Sequence, residues 1–227
     1  MDGNGRWAEA RGLSRSCGHK AGTETAKRLV TRCRGLGVGF LTLYTFSKEN
    51  WGRPKEEVRV LFDLLVRFLT KELKSLVEQD IRLQVLGELE DFPFAVRKVL
   101  LHVMKKTEKC RSMTLNLALN YSGRGEIVRA CRRLIEQGVK PDEVTEERFG
   151  EELFTAGQPD PDLVIRTSGE VRISNYLLWQ SAYAEYYFTK VPWPDFDDTQ
   201  LDLALAAYSA RQRRFGLTGA QAETKIF

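Results

Sequence analysis

The 227-residue chain is poor in the residues that staple or metallate a fold. It has two histidines and four scattered cysteines (Cys17, Cys33, Cys110 and Cys131), none of them in a C-x-x-C pair. That excludes a disulfide scaffold and argues against a structural zinc site. Reduced thiols in a cytoplasmic protein are the expectation. No apolar run approaches the roughly 18 residues that a membrane span needs. No basic segment followed by a short apolar run marks a secretory signal. Repeats, low-complexity stretches and linkers are also missing, so residues 1–227 read as one domain, large enough to bury a substantial core. No RNP, KH, zinc-finger or helix-turn-helix pattern occurs, so nucleic acid is not an expected partner.

Charge is nearly balanced, with 35 basic and 31 acidic residues and a net +4, but it is unevenly spread. Within residues 1–34, Arg6, Arg11, Arg15, Lys20, Lys27, Arg28, Arg32 and Arg34 face only Asp2, Glu9 and Glu24. A local positive excess points to an anionic partner.

Periodicity gives an alternation of strands and helices. Residues 8–18 read as a loop broken by Gly12 and Gly18, followed by a helix from His19 to about Leu36. The apolar, aromatic run 38–46 is a buried strand. A wide apolar stripe predicts a long helix over 55–79. Then come a strand at 81–86, a helix at 92–109, a strand at 113–120 and helices at 126–137 and 145–154, the last capped by Thr145. Strands at 163–165 and 183–188 and a helix at 197–214, ending in Arg211, Arg213 and Arg214, complete the chain. This order predicts an α/β fold with a mostly parallel central sheet flanked by helices.

Several polar bursts directly follow a predicted strand, where open α/β sheets bind ligands. One spans Ser47 to Pro54; another runs from Arg166 to Asn175. The stretch Met1-Asp2-Gly3-Asn4-Gly5-Arg6-Trp7 has the composition of a phosphate cradle. Glycines let backbone N–H groups approach an anion, and arginine forks onto phosphate oxygens. A carboxylate beside such a site has reason to hold a cation. Arg6, Arg15, His19, Arg53, Arg166 and Arg172 together suggest one or two diphosphates. Glu185, set in an aromatic strand, needs a partner, a proton or a metal if buried.

Four blocks resemble signature stretches of the cis-prenyltransferases, the bacterial undecaprenyl diphosphate synthases among them. They are Met1 to Ala8, Gly18-His19-Lys20-Ala21-Gly22, Phe46 to Pro54, and Arg166 to Asn175 continued by Leu178-Trp179-Gln180 and Ala182-Tyr183-Ala184-Glu185. Their order and spacing match over nearly the whole chain. The resemblance implies repeated condensation of isopentenyl diphosphate onto an allylic diphosphate such as farnesyl diphosphate. The product would be a polyprenyl, specifically undecaprenyl, diphosphate for the cell-wall lipid carrier. It assigns Asp2 and Glu185 to Mg2+, and Gly3, Asn4, Gly5, Arg6 and Trp7, with Arg15 and His19, to the allylic diphosphate. Arg166, Arg172, Ile173 and Ser174 would hold isopentenyl diphosphate. Asn50 corresponds to the residue assigned to proton removal, with Ser47, Lys48, Glu49, Trp51, Arg53 and Glu57 beside it. A neutral amide is a poor base, so Asn50 is read as orienting a diphosphate oxygen or a water that takes the proton.

The resemblance further implies a homodimer, peripheral membrane contact for product release, and an apolar tunnel walled by the 38–46 strand, the 55–79 helix and the 113–119 strand, with Thr45 limiting product length. Relatives carry an apolar strand ahead of the Met-Asp-Gly-Asn-Gly-Arg block, so an N-terminal strand is expected to be missing here. A non-catalytic family subunit is the competing reading. It predicts loss of catalytic residues, yet Asp2, Arg6, Asn50, Arg166, Arg172 and Glu185 are all present.

Overall fold

A computed structural model describes residues 1–211. A short helix and a long one come first: α1 is Asn4–Glu9 and α2 is Arg15–Gly35. Residues 8–18 are therefore not a loop throughout; only 10–14 lie outside a helix. The glycines that look like breakers are packing contacts. A Cβ on Gly18 would lie 1.9 Å from the Asn4 carbonyl oxygen, and one on Gly22 would lie 2.2 Å from Asn4 Oδ1. Glycine at both positions lets α1 lie directly on α2.

Strand β1 (Phe40–Ser47) runs into a 3-10 turn at Lys48–Gly52 and then α3 (Lys55–Glu78). The α3 stripe buries Val58, Phe62, Leu65, Leu69 and Leu76 as its periodicity predicts. Glu72 interrupts that stripe and accepts a 2.8 Å bond from Lys27 Nζ, which offsets its burial. Strand β2 (Ile81–Leu86), α4 (Phe94–Thr107), β3 (Met113–Tyr121) and α5 (Gly123–Glu136) follow. Helix α6 is Glu146–Gly150, shorter than the predicted 145–154, with Thr145 Oγ1 capping it by accepting from the Arg148 N–H. Strands β4 (Leu163–Arg166) and β5 (Glu185–Phe188) precede α7 (Asp198–Ser209). Residues 183–184, predicted as strand, are outside β5. Arg211 lies just beyond α7, while Arg213 and Arg214 lie outside the described residues.

Among the described residues the five strands all pair in parallel, but they form two sheets: β1-β3-β2 and β4-β5. β3 is central and buried on both faces, and it carries Met113, Leu115, Leu117 and Leu119 at every second position. Of its two buried amides, Asn116 is in register with Thr42 and Gln84 on either side. Gln158 closes that row, bonding Asn116 at 2.6 Å and Gln84 at 2.6 Å, so the buried polar groups are paired. Helices cover the sheet, and the main core joins Leu69, Ile81, Leu83, Leu100, Leu115 and Leu119, each at most 1% exposed. Among the described residues no helix is long and apolar enough to cross a membrane.

Candidate active site

A cavity of about 1180 Å³ runs between the two sheets, with α2, α3 and α7 contributing to its wall. Its inner lining is apolar, including Leu43, Phe62, Leu65, Phe68, Leu119 and Ile165. Its polar end gathers Asp2, Gly3, Asn4, Gly5, Arg6, Arg15, His19, Ser47, Glu49, Asn50, Arg53, Arg166, Arg172, Ile173 and Ser174. The chain thus brings together residues from four separated segments.

Asp2 is fixed through its backbone. Its N–H donates to Thr167 Oγ1 at 3.0 Å, and its carbonyl accepts from Thr167 Oγ1 at 2.9 Å and from the Trp193 N–H at 2.9 Å. The carboxylate lies between two guanidinium groups, accepting from Arg6 at 3.2 Å and from Arg166 at 3.0 Å. Burial alone would raise its pKa, but Arg166 and Arg6 outweigh that and hold it below the usual carboxylate range. Arg166 also donates to Ser174 Oγ at 2.7 Å and to the Arg172 carbonyl. Glu170 pairs with Arg6 at 3.0 Å and with Arg172. Gly3, at φ +99, has no room for a side chain: a Cβ there would lie 2.5 Å from Ser168 Oγ.

A second cationic group surrounds Glu57 at the start of α3. Arg53 reaches it at 3.1 Å, Arg15 at 3.4 Å and His19 Nε2 at 3.3 Å. Burial lowers the His19 pKa, with Glu57 only partly opposing it, so His19 is neutral at pH 7. Burial opposes ionisation of Glu57 too, but Arg15, Arg53 and His19 pull its pKa down.

Asn50 faces the cavity from the 3-10 turn, and its Oδ1 accepts the Ser47 N–H at 3.1 Å. Trp51 turns into an aromatic cluster with Phe46, Phe62 and Phe92 and donates to Asn120 Oδ1 at 2.8 Å. Trp7 donates to Asp195 at 2.7 Å under a stacked Arg11, and Lys48 pairs with Glu88 at 3.7 Å. These three side chains are outside the cavity wall.

Glu185 is also elsewhere. It opens β5 opposite Leu163, whereas Arg166 at the other end of β4 is beside Asp2. Three residues of strand separate the two ends, about 10 Å. Glu185 pairs there with Arg211. Asp2 and Glu185, both assigned to Mg2+ by the resemblance, do not converge within a chain. The donor set at Asp2 still fits magnesium in one way. No group of three or more His, Cys, Asp or Glu gathers among the described residues, so there is no protein-only cage. One carboxylate at an open, polar cavity end suits a hydrated ion completed by diphosphate oxygens.

Residue-type reasoning singled out neither Thr167, Glu170, Asn120 nor Asn175. Their signal was positional: Thr167, Glu170 and Asn175 lie inside the burst after β4, and Asn120 is the next-to-last residue of β3. Among the described residues, four of the six non-glycine residues at positive φ fall in this burst or just after it: Ser168, Ser174, Asn175 and Leu177. Such backbone persists where a site over-determines it.

Gly18→Ala should lower kcat/KM on the order of 10²-fold, because α1, which carries Asn4, Gly5 and Arg6, must lift off α2. Steady-state kinetics beside Gly35→Ala, which meets nothing within 4 Å, checks this. Parental kinetics in Gly18→Ala would show that α1 placement is unimportant.

The family model described as "Putative undecaprenyl diphosphate synthase" matches residues 1–216. The isoprenyl transferase of Clostridium perfringens is 48% identical over 220 residues, covering 95% of this chain and 87% of that one. The isoprenyl transferase of Chlorobaculum tepidum is 48% identical over 228 residues, covering 99% and 86%. Among solved structures, lavandulyl diphosphate synthase from Lavandula x intermedia, in complex with dimethylallyl diphosphate, superimposes with a TM-score of 0.92. It is 36% identical, with 95% of each chain covered. A "probable undecaprenyl diphosphate synthase" from Campylobacter jejuni gives a TM-score of 0.78 at 34% identity, covering 86% and 92%. A cavity polar at one end and apolar within, on a chain this similar to these enzymes, leads to one assignment: the protein is a prenyltransferase and belongs to the cis-prenyltransferase (isoprenyl transferase) family.

Proposed function

We propose that this prenyltransferase condenses isopentenyl diphosphate repeatedly onto an allylic diphosphate such as farnesyl diphosphate, extending it to undecaprenyl diphosphate. The observation that carries the reading is the pairing of an apolar cavity of about 1180 Å³ with two guanidinium clusters at its polar end. Two anionic heads and one apolar chain need that arrangement. The dimethylallyl diphosphate held by the lavandulyl diphosphate synthase supports an allylic diphosphate as one ligand.

In this reading Arg6 and Arg15, with the Gly3 to Gly5 backbone, hold the allylic diphosphate. Arg166, Arg172 and Ser174 hold the diphosphate of isopentenyl diphosphate. Asp2 would hold a hydrated magnesium ion, which would supply positive charge against the departing diphosphate. The allylic C1–O bond breaks, and the isopentenyl double bond supplies the electron pair for the new C–C bond. A C2 proton then leaves to a diphosphate oxygen. Arginines aimed at the departing oxygens stabilise charge where it develops. Holding both substrates side by side removes much of the entropic barrier. Asn50 orients rather than abstracts: its Oδ1 is committed to the Ser47 N–H, leaving Nδ2 to donate to a diphosphate oxygen. The apolar lining, with Thr45 on the β1 wall, receives the growing chain.

Purified protein with radiolabelled isopentenyl diphosphate, farnesyl diphosphate and magnesium should produce label extractable as a long polyprenyl diphosphate. Chromatography of the dephosphorylated products gives their length. Absence of elongation would overturn the reading, and a product extended by one unit would overturn the long-chain assignment.

A further inference from the structure

Asn175 joins more separate segments than any substrate-facing role requires. Its Nδ2 donates to Glu49 Oε1 at 2.7 Å and to Ser122 Oγ at 2.9 Å, and its Oδ1 accepts the Arg124 N–H at 2.8 Å. Its backbone carbonyl accepts the Gly123 N–H at 2.8 Å. Glu49 belongs to the 3-10 turn, between Ser47 and Asn50. Ser122 caps α5 through the Gly125 N–H at 3.1 Å. Asn175 itself directly follows Ser174, whose Oγ accepts from Arg166.

We propose that Asn175 is a positioning residue for the condensation, fixing the loop that holds one diphosphate (Arg166, Arg172, Ser174) against the turn that carries Ser47 and Asn50. This rests on the reaction proposed above. Three observations support it. The side chain uses donors on the anionic Glu49 and on Ser122 and an acceptor on a backbone N–H, a combination that an amide supplies and a carboxylate does not. The backbone is left-handed, with φ 60 at Asn175 and φ 49 at Ser174, a conformation asparagine tolerates better than most residues. Tyr176, the next residue, stacks on Tyr44 of β1 with ring centroids 4.4 Å apart, and the Tyr44 hydroxyl donates to the Ser174 carbonyl at 3.4 Å. The loop is thus pinned on two sides, and the Asn175–Glu49 contact ties it directly to the turn bearing Asn50.

The bridge matters because the two reacting carbons must meet within about 3–3.5 Å, and a displacement near 1 Å costs on the order of 10²-fold in rate. Asn175→Asp removes both donors and sets a second carboxylate against Glu49. Asn175→Gly removes the side chain while easing the left-handed backbone.

The test uses the full chain, with kinetics in each substrate and thermal unfolding of each variant. Asn175→Asp and Asn175→Gly should each lower kcat about 10²-fold, with KM for the allylic diphosphate within about twofold of the parent. Asn175→Gly should unfold within a few degrees of the parent, which separates positioning from folding. Glu49→Ala should lose a similar factor, and the double variant Glu49→Ala with Asn175→Gly should lose no more than either alone. Parental kcat in both Asn175 variants, or additive losses in the double variant, would overturn the assignment while the reaction itself stands. A parent protein that does not elongate would overturn both.

Discussion

Asp2→Ala abolishes turnover, with kcat/KM falling on the order of 10³-fold or more, while the protein folds as before. The first half follows from the side chain and the second from the backbone. The carboxylate is the acid set between Arg6 and Arg166 at the polar end of the cavity. In the reading proposed above, removing it leaves two guanidinium groups free to take a diphosphate oxygen directly, so substrate should still bind. What should disappear is the ligand for a cation at the leaving group. Losing a single preorganised electrostatic contact at a reacting centre costs about 10²–10³-fold, and loss of a metal ligand adds to that. Stability changes little, because the Asp2 peptide keeps its bonds to Thr167 and Trp193. The ion pairs being lost are partly solvent-exposed, and such pairs are worth about 0–1 kcal/mol. Asp2→Asn is the sharper variant, since it preserves shape and removes only charge. Single-turnover assays over a magnesium titration, with thermal unfolding alongside, check both halves. Activity retained in either variant would remove Asp2 from the mechanism. The pH behaviour follows from the lowered pKa. A carboxyl held below its unfolded value contributes stability above that value, and the contribution is lost as pH falls through the folded pKa. Asp2→Asn should therefore unfold with a flatter acid limb than the parent.

The alternation of periods 2 and 3.6 made the α/β class legible, and the polar bursts after strands marked where the site would form. β3 shows why this worked: Met113, Leu115, Leu117 and Leu119 recur at every second position, a period that a strand fits and a helix does not. The start of the chain was less legible. Gly12 breaks the chain as expected, but Gly18 looks the same in sequence and is a helix-packing contact, because its function depends on Asn4 lying 14 residues earlier. Non-local contacts of this kind leave no periodic trace. Trp51 illustrates the complementary limit. It occurs in the most distinctive polar burst, yet its ring packs on Phe46, Phe62 and Phe92. Proximity in sequence to Ser47 and Asn50 carried no information about which way the ring would turn. Glu185 was legible as an acid needing a partner, and it has one in Arg211. Its distance from Asp2 depended on strand register, which the sequence of a four-residue strand does not specify.

Glu57→Gln should separate binding from catalysis, lowering kcat about 10²-fold while leaving KM for the allylic diphosphate unchanged or lower. Two effects compete here. Deleting a negative charge near a diphosphate site strengthens attraction for the anion, but partly exposed pairs are worth only about 1 kcal/mol, or roughly fivefold in binding. Against that, Glu57 is the common acceptor for Arg15, Arg53 and His19, at 3.4, 3.1 and 3.3 Å. Glutamine offers one acceptor oxygen where the carboxylate offers two, and its NH2 faces a guanidinium. At least one of the three donors must swing away, and Arg15 is the most exposed of them. If Arg15 orients the leaving diphosphate as proposed, its misplacement by about 1 Å outweighs the small gain in attraction. Stability carries a second signature. Glu57 ionises below its ordinary 4.5, so its contribution is full above that value and disappears as pH falls through the lowered folded pKa. The parent should therefore lose its advantage over Glu57→Gln only in acid, below pH 4.5. His19 adds an opposite-charge case with the same direction. Burial lowers its pKa below 6.5, so protonating the unfolded chain below that value costs stability, and more so in Glu57→Gln, where the carboxylate that opposes the shift is gone. Chemical denaturation from pH 3 to 8, combined with kcat and KM at pH 7.5, reads both effects. A variant whose KM rises while kcat holds would show that Glu57 shapes binding alone and that Arg15, Arg53 and His19 need no common anchor for the chemical step.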